Sequence, residues 1–149
     1  MTANEKTAIV VGVDGSDNGR RAMAWALDEA KARGLSCLLV HAVDFGFAAA
    51  SPYAGVTFDQ LRDAGQAVLD TELAIARDAG VPVEGRLVIS SAAQALIDAS
   101  RDAALLVVGS RGRGGFTGML LGSVSTACVH HAHCPVVVMR PPEPETTKN

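Results

Sequence analysis

The sequence has few aromatic residues, few lysines and no excess of basic charge. Aromatic residues make up only 4% of the 149 residues, whereas 48% of the chain is hydrophobic. A core of Ala, Val, Leu and Ile with little Tyr or Trp is typical of parallel sheets that are covered by helices. The formal net charge of −3 argues against nucleic acid as the main partner, because nucleic-acid-binding surfaces concentrate Lys and Arg.

The sequence also lacks a long apolar run and a cysteine framework. No apolar run approaches the ~20 residues that cross a bilayer, and no basic segment followed by an apolar stretch marks a signal peptide, so we expect no membrane association. Three cysteines, Cys37, Cys128 and Cys134, form an odd set without disulfide spacing. This pattern predicts a reducing compartment, the cytoplasm. The length predicts one domain over residues 1–140, and the Pro-rich segment 141–149 is predicted to be a disordered tail.

Apolar runs alternate with helical periodicity along the chain. The runs predict five strands, at Thr7–Val13, Leu35–Val43, Val81–Ile89, Leu105–Val108 and Pro135–Met139. Helices are predicted between them, and the expected N-caps are Ser16, Thr57 and either Ser90 or Ser91. The segment Asp44–Val56 has no period and is predicted to be a loop, and a fourth helix is predicted over Ser123–His131. The order predicts an α/β fold, a doubly wound parallel sheet with helices on both faces.

The most informative stretch follows the fourth predicted strand. Five glycines fall within ten positions and lead into the helix that begins at Ser123; they are Gly109, Gly112, Gly114, Gly115 and Gly118. A strand, a glycine-rich loop and a helix start leave backbone N–H groups available for an anion. Ser125 and the guanidinium groups of Arg111 and Arg113 could add donors to phosphate oxygens. We therefore predict a nucleotide site with its phosphates in this loop, although a plain flexible connection is the alternative.

Three familiar phosphate or phosphoacceptor sites do not fit. A Walker A loop needs a lysine before the helix, but the three lysines are Lys6, Lys31 and Lys148. The turn after the first strand reads Gly12-Val13-Asp14-Gly15-Ser16 and lacks the dinucleotide-binding fingerprint. A receiver domain would need an acidic residue after the third strand, where Ser90 stands.

The spacing Gly109-x-x-Gly112, followed after nine residues by Gly122-Ser123, resembles the ATP-binding signature of the universal stress protein family. The stretches AIVVGVDGS, LLVHAV and HAHCPVVVMR are also similar to that family, and the resemblance covers roughly residues 7–140. It implies the strand order 3-2-1-4-5. Two scaffold positions depart from the family pattern: Ser90 stands where Gly often opens the third helix, and Ala104 where Asp often precedes the fourth strand.

The resemblance implies an ATP site, with or without Mg²⁺, built from matching positions. Asp14 would lie beside the adenosine, and the backbone after His41 would meet the adenine edge. The implied set of cofactor-binding residues is Gly12, Asp14, Ala42, Val43, Gly109, Ser110, Arg111, Gly112, Arg113, Gly114, Gly115, Gly122, Ser123, Val124 and Ser125. The resemblance also implies a homodimer, which we expect to form through the fifth strand at Val136, Val137 and Val138.

Several alternatives stay open at this stage. An AMP or cyclic-nucleotide module, an interaction protein with an empty site, and a slow ATPase all fit the same scaffold. Asp14 could only cap the first helix, and Arg111 and Arg113 could be solvated surface charges. We interpret His41 as a packed core residue and expect no metal site in the run Cys128–Cys134, because its side chains should diverge. No catalytic residue can be named, so any hydrolysis is expected to be slow.

Overall fold

A single parallel sheet forms the centre of the protein. The structure is a computed structural model that describes residues 6–46, 55–111 and 121–142. The strands are β1 (Ala8–Gly12), β2 (Ser36–Val43), β3 (Val83–Ile89), β4 (Leu105–Gly109) and β5 (Val136–Met139). The helices between them are α1 (Asp17–Arg33), α2 (Phe58–Ala76), α3 (Ala92–Ala99) and α4 (Ser123–His131). All strand pairs are parallel and the order is β3-β2-β1-β4-β5, which confirms the predicted fold.

The central strands explain why the sequence shows continuous apolar runs. β1 lies between β2 and β4, and its residues Ile9, Val10 and Val11 are buried because helices cover both faces of the sheet. α1 and α2 pack on one face, and α3 and α4 pack on the other. The edge strand β3 starts at Val83, two residues later than predicted, and it exposes its polar interruption Glu84–Arg86.

The helix boundaries follow the side-chain caps that the sequence predicts. The Ser16 hydroxyl accepts a hydrogen bond from Gly19 N–H, and Gly34 ends α1 in the left-handed conformation, with φ of 68°. Thr57 forms a capping box with Gln60 at the start of α2. Of the two candidates for the third cap, the structure uses Ser91.

The stripe of α2 that faces the sheet contains an acidic residue. Glu72 is only 1% exposed, and one of its carboxylate oxygens, Oε1, lies 3.2 Å from Nε of Arg20 in α1. The second oxygen, Oε2, is buried and has no hydrogen-bond partner among the described residues. The sequence pattern of α2 does not predict that a charge pair joins α1 to α2.

The predicted loop after β2 is wrong at Phe45 and Gly46, which are helical, whereas Asp44, Gly55 and Val56 lie outside helices and strands. The Phe45 ring packs edge-on against Phe58 at the start of α2, with 5.3 Å between centroids, a tertiary contact that local composition does not reveal. Residues 47–54 of that segment and 143–149 of the predicted tail lie outside the described residues. Within the described ranges, no helix is both long and apolar enough to cross a bilayer.

Candidate functional site at the switch point of the sheet

The strand order reverses between β1 and β4, and a cavity lies at this point. After β1 the chain continues toward β2, whereas after β4 it continues toward β5, so the connections diverge at the carboxyl ends of the two strands. The cavity encloses about 130 Å³. Its walls come from β1, β2, β4 and the helices around them, and include Gly12, Val13, Asp14, Gly19, Val40, His41, Ala42, Ala92, Leu96, Val108, Gly109, Arg111 and Val124.

Asp14 both shapes the turn after β1 and faces the cavity. Its Oδ1 accepts hydrogen bonds from the backbone N–H of Ser16 at 3.0 Å and from the Ser16 hydroxyl at 2.5 Å. A Cβ at Gly19 would lie 2.8 Å from the same oxygen, so the helix start leaves room for this carboxylate only because residue 19 is glycine. Ser16 and not Asp14 caps α1, so the alternative that Asp14 only caps the first helix is wrong, and its carboxylate holds the turn while it lines the cavity.

At the end of β2, the main chain faces the cavity without a backbone hydrogen-bond partner among the described residues. The Val40 carbonyl accepts from Val13 N–H at 2.9 Å, so the peptide groups of Val40 point toward β1. Because peptide groups alternate in direction along a strand, the N–H and C=O of Ala42, two residues further, also point toward β1. Ala42 lies beyond the last residue of β1. Ala42 thus offers one N–H donor and one C=O acceptor to the cavity. Val43 points to the other side, where its carbonyl accepts from Ser90 N–H at 3.0 Å, and Val43 is not among the lining residues.

His41 supports this edge of the cavity from behind. Its Nδ1 lies 2.7 Å from the Val13 carbonyl, and because a carbonyl can only accept, the ring donates from that nitrogen. The ring is half-buried and also lines the cavity. The interpretation of His41 as a packed residue is correct in part, since it fixes the main chain after β1, but it also borders the site.

The carbonyl of Ser110 joins the two ends of the glycine-rich segment. It accepts from Gly122 N–H at 2.6 Å and from the Ser125 hydroxyl at 3.0 Å, while Ser110 N–H donates to Met139 in β5 at 2.8 Å. Ser110 and Ser125 are both buried. The N–H of Gly122 and the hydroxyl of Ser125 are therefore used inside the protein, and they hold the segment closed at its base.

The first turn of α4 begins directly beside this closure. Gly122 is the N-cap residue and provides no side chain, and the first intrahelical bond runs from Thr126 N–H to the Gly122 carbonyl. The backbone N–H groups of Ser123, Val124 and Ser125 consequently have no intrahelical partner. Ser123 is exposed and Val124 lines the cavity, so the positive end of the helix dipole lies at the cavity rim.

Several lining or supporting residues are absent from the predicted site, among them Ala92, Leu96 and Asn18. Ala92 and Leu96 of α3 form an apolar wall, and a Cβ at Gly12 would lie 2.8 Å from a methyl group of Leu96. Asn18, in the first turn of α1, donates from Nδ2 to the Arg111 carbonyl at 2.8 Å. Only their position in the sequence points to the site, because the helices that follow β1 and β3 begin at the carboxyl edge of a parallel sheet.

Four predicted site residues, Gly112, Arg113, Gly114 and Gly115, lie outside the described residues.

The described residues form no cluster of metal ligands. Across these ranges, no three His, Cys, Asp or Glu side chains are close enough to hold a metal ion together. Burial raises the pKa of the Cys128 thiol to about 11, and burial also raises the pKa of Cys134. Both thiols in this run are therefore protonated at neutral pH.

Comparison with protein families matches residues 7–140 of the chain to the universal stress protein family. A universal stress protein of Mycobacterium tuberculosis is 42% identical over 134 residues, which cover 89% of this chain and 45% of that protein. Another, from Mycolicibacterium smegmatis, is 38% identical over 141 residues, covering 93% of this chain and 47% of the relative. The chain thus spans about half the length of the curated relatives that it matches.

Solved structures agree with this assignment. A universal stress protein of Lactobacillus plantarum superimposes with a TM-score of 0.77 at 23% identity, covering 91% of this chain and 98% of its own, which shows the fold. A universal stress protein in complex with cAMP gives 0.69 at 28% identity, with 89% and 96% covered. An Arabidopsis thaliana member with AMP bound gives 0.63 at 25% identity, with 90% and 91% covered. By the family match and these relatives, the chain belongs to the universal stress protein family.

Proposed function

We propose that this chain binds an adenine nucleotide, ATP, in the switch-point cavity and acts as a nucleotide-dependent module in stress response or signalling. The observation that carries the proposal is the convergence of three elements on one cavity. These are the main chain of Ala42, the Asp14 carboxylate, and the start of α4 beside Gly109. Each has the chemistry that one part of a nucleotide requires.

The proposed roles follow from that chemistry. The donor and acceptor of Ala42 suit the hydrogen-bonding edge of adenine, and Val40 and Leu96 supply apolar walls for the ring. Asp14 can accept from ribose hydroxyls or hold Mg²⁺ through water. The N–H groups of the first turn of α4 and of the glycine-rich segment suit phosphate oxygens.

We propose that binding, not fast turnover, is the purpose of the site. The three lysines lie at positions 6, 31 and 148, so no lysine is present in the glycine-rich segment to clamp the phosphates. Purified protein should therefore hydrolyse ATP far more slowly than an ordinary enzyme. Steady-state turnover near 10 per second, about the median for enzymes, would contradict this.

AMP or a cyclic nucleotide is the second candidate ligand. It is favoured by the two solved relatives whose structures contain cAMP and AMP. Both ligands share the adenosine part with ATP, so the Ala42 and Asp14 contacts would serve all three. Competition among ATP, AMP and cAMP for the same protein separates the candidates, because only the glycine-rich segment and α4 distinguish the phosphates.

Isothermal titration with ATP, in the presence and absence of Mg²⁺, tests the proposal. Substitution Gly112→Glu should abolish binding, because it places an anion and a bulky side chain where phosphates are expected. Ala64→Glu on the exposed face of α2 adds the same charge away from the site and should bind as the unsubstituted chain does. Normal ATP binding by Gly112→Glu would show that the site is wrongly located.

We also propose a homodimer and a cytoplasmic location. β5 lies at the sheet edge with β4 as its neighbour, and its residues Val136, Val137 and Val138 are only partly buried, which supports pairing with a second copy. The three cysteines are free thiols, which supports a reducing compartment.

A further inference from the structure

The hydrogen-bond ladder between β1 and β2 stops one bond short of the regular parallel pattern. In that pattern, one residue donates its N–H to the neighbouring strand, and its C=O accepts from the residue two positions further along that strand. Val13 N–H donates to the Val40 carbonyl at 2.9 Å, which is the first of these two bonds. The second would run from Ala42 N–H to the Val13 carbonyl, and it does not form in the part of the chain that the structure describes.

The side chain of His41 occupies the acceptor that Ala42 N–H would otherwise use. Its Nδ1 donates to the Val13 carbonyl at 2.7 Å. Val13 is only 4% exposed, so its carbonyl needs a donor from within the protein. Because His41 satisfies this carbonyl, the Ala42 N–H is left at the cavity wall without a bond to β1.

The helix α2 confines the imidazole ring beside the end of β1. A Cβ at Gly65 of α2 would lie 3.6 Å from Cδ2 of His41, which is an ordinary packing distance, and Gly65 is buried. The ring is half-buried and also lines the cavity. The same side chain therefore packs beside α2, bonds to the main chain after β1 and borders the cavity.

We propose that His41 is a positioning residue for recognition of the base. By satisfying the Val13 carbonyl, it keeps the N–H of Ala42 available for an acceptor nitrogen of adenine. The inference rests on the proposed adenine-nucleotide function. When the donor at residue 41 is lost, Ala42 N–H bonds to the Val13 carbonyl, the ladder gains one bond, and the base loses its donor.

The first test is made on the protein without nucleotide, by NMR measurement of amide hydrogen exchange. His41→Leu removes the donor, whereas His41→Asn keeps a side-chain nitrogen at the position of Nδ1. In His41→Leu the amide of Ala42 should exchange at least about tenfold more slowly than in the unsubstituted chain, because it has gained a hydrogen bond. In His41→Asn it should exchange as in the unsubstituted chain. The amide of Val13, bonded to Val40, is the internal control and should stay protected in all three proteins.

The second test is calorimetric titration of the same proteins with ATP and with adenosine. His41→Leu should weaken both ligands about tenfold, the effect of one lost hydrogen bond, because both carry the same base. His41→Asn should stay within about threefold of the unsubstituted chain for both ligands. His130→Leu, the same substitution at an exposed position of α4, should change neither affinity.

Melting temperatures separate a positioning role from a purely structural one. Asn is smaller than His and fills less of the space beside Gly65, so His41→Asn should lower the melting temperature while it keeps nucleotide affinity. Affinities that follow the melting temperatures, or an Ala42 amide equally protected with His and with Leu at residue 41, would overturn the proposal. Normal ATP binding by His41→Leu would overturn this inference alone. An unsubstituted chain that binds neither ligand would overturn the proposed function as well.

Discussion

At the scale of single residues, the Arg20–Glu72 pair shows how a buried charge depends on one partner. The Glu72 side chain is 1% exposed, whereas that of Arg20 is 41% exposed. Arg20→Ala should lower the free energy of unfolding by about 1–3 kcal/mol, because a buried carboxylate is left without its cation. Arg21→Ala, at the exposed neighbouring position, should have little effect in the same urea titration. Equal stability of the two variants would contradict the buried pair.

Two buried thiols should make the free energy of unfolding decrease at alkaline pH. Burial raises the pKa of Cys37 from 9.0 to about 11, and that of Cys128 likewise to about 11. Between pH 9 and 11 the unfolded thiols ionise near their ordinary pKa, whereas the folded thiols stay protonated. The contribution of these two thiols to the free energy of unfolding is therefore fully present below pH 9 and is lost as the pH rises from 9 to 11. Urea unfolding at several pH values should show this decrease. Replacing both cysteines with Ala should reduce the decrease between pH 9 and 11, and an unchanged slope would contradict the assignment.

At the scale of secondary-structure elements, α2 packs on the sheet through a glycine. Gly65 is buried, and a Cβ there would overlap Cγ2 of Val43 and lie 3.2 Å from Cδ1 of Leu87. Gly65→Val should destabilise the protein by about 1–3 kcal/mol, because α2 would have to move away from β2 and β3. Ala64→Val, at the adjacent exposed position, controls for helix propensity. Equal unfolding free energies for the two variants would show that this contact is not close.

The sequence predicts the elements well and the contacts between them poorly. Ser16 and Thr57 mark helix starts because capping depends on local chemistry, and the alternation of strands with helices leads directly to a parallel sheet. The pairing of Asn18 with Arg111 joins residues that are 93 positions apart, and no local pattern reports it. The hydrogen bonds from Gly122 N–H and the Ser125 hydroxyl to the Ser110 carbonyl are equally non-local, so the sequence does not reveal them.

At the scale of the whole molecule, the edge strand β5 determines the proposed assembly. The carbonyls of Pro135 and Met139, on either side of the strand centre, accept from the N–H groups of Leu106 and Ser110, so by alternation the peptide groups of Val138 point to the free edge. Val138→Pro removes a backbone donor from that edge, and Val138→Thr keeps the donor and the β-branched shape. In light scattering at micromolar concentration we expect the unsubstituted chain and Val138→Thr to be dimeric and Val138→Pro to be monomeric. A monomeric unsubstituted chain would contradict the proposed homodimer.

Nucleotide binding should also be visible as a change in the stability of the whole domain. A ligand that binds only the folded chain at a hundredfold excess over its Kd stabilises it by about 2.7 kcal/mol. ATP should therefore raise the melting temperature in a concentration-dependent way, and the shift should be absent in Gly112→Glu. A shift of the same size with GTP would contradict recognition of adenine by the main chain of Ala42.

The most direct test of the account is a crystal structure of this chain grown with excess ATP. The account predicts adenine against the main chain of Ala42 and ribose beside Asp14. It predicts the phosphates against the backbone N–H groups between Arg111 and Ser125, at the start of α4. A nucleotide bound elsewhere, or an empty cavity under saturating ATP, would contradict the proposed function.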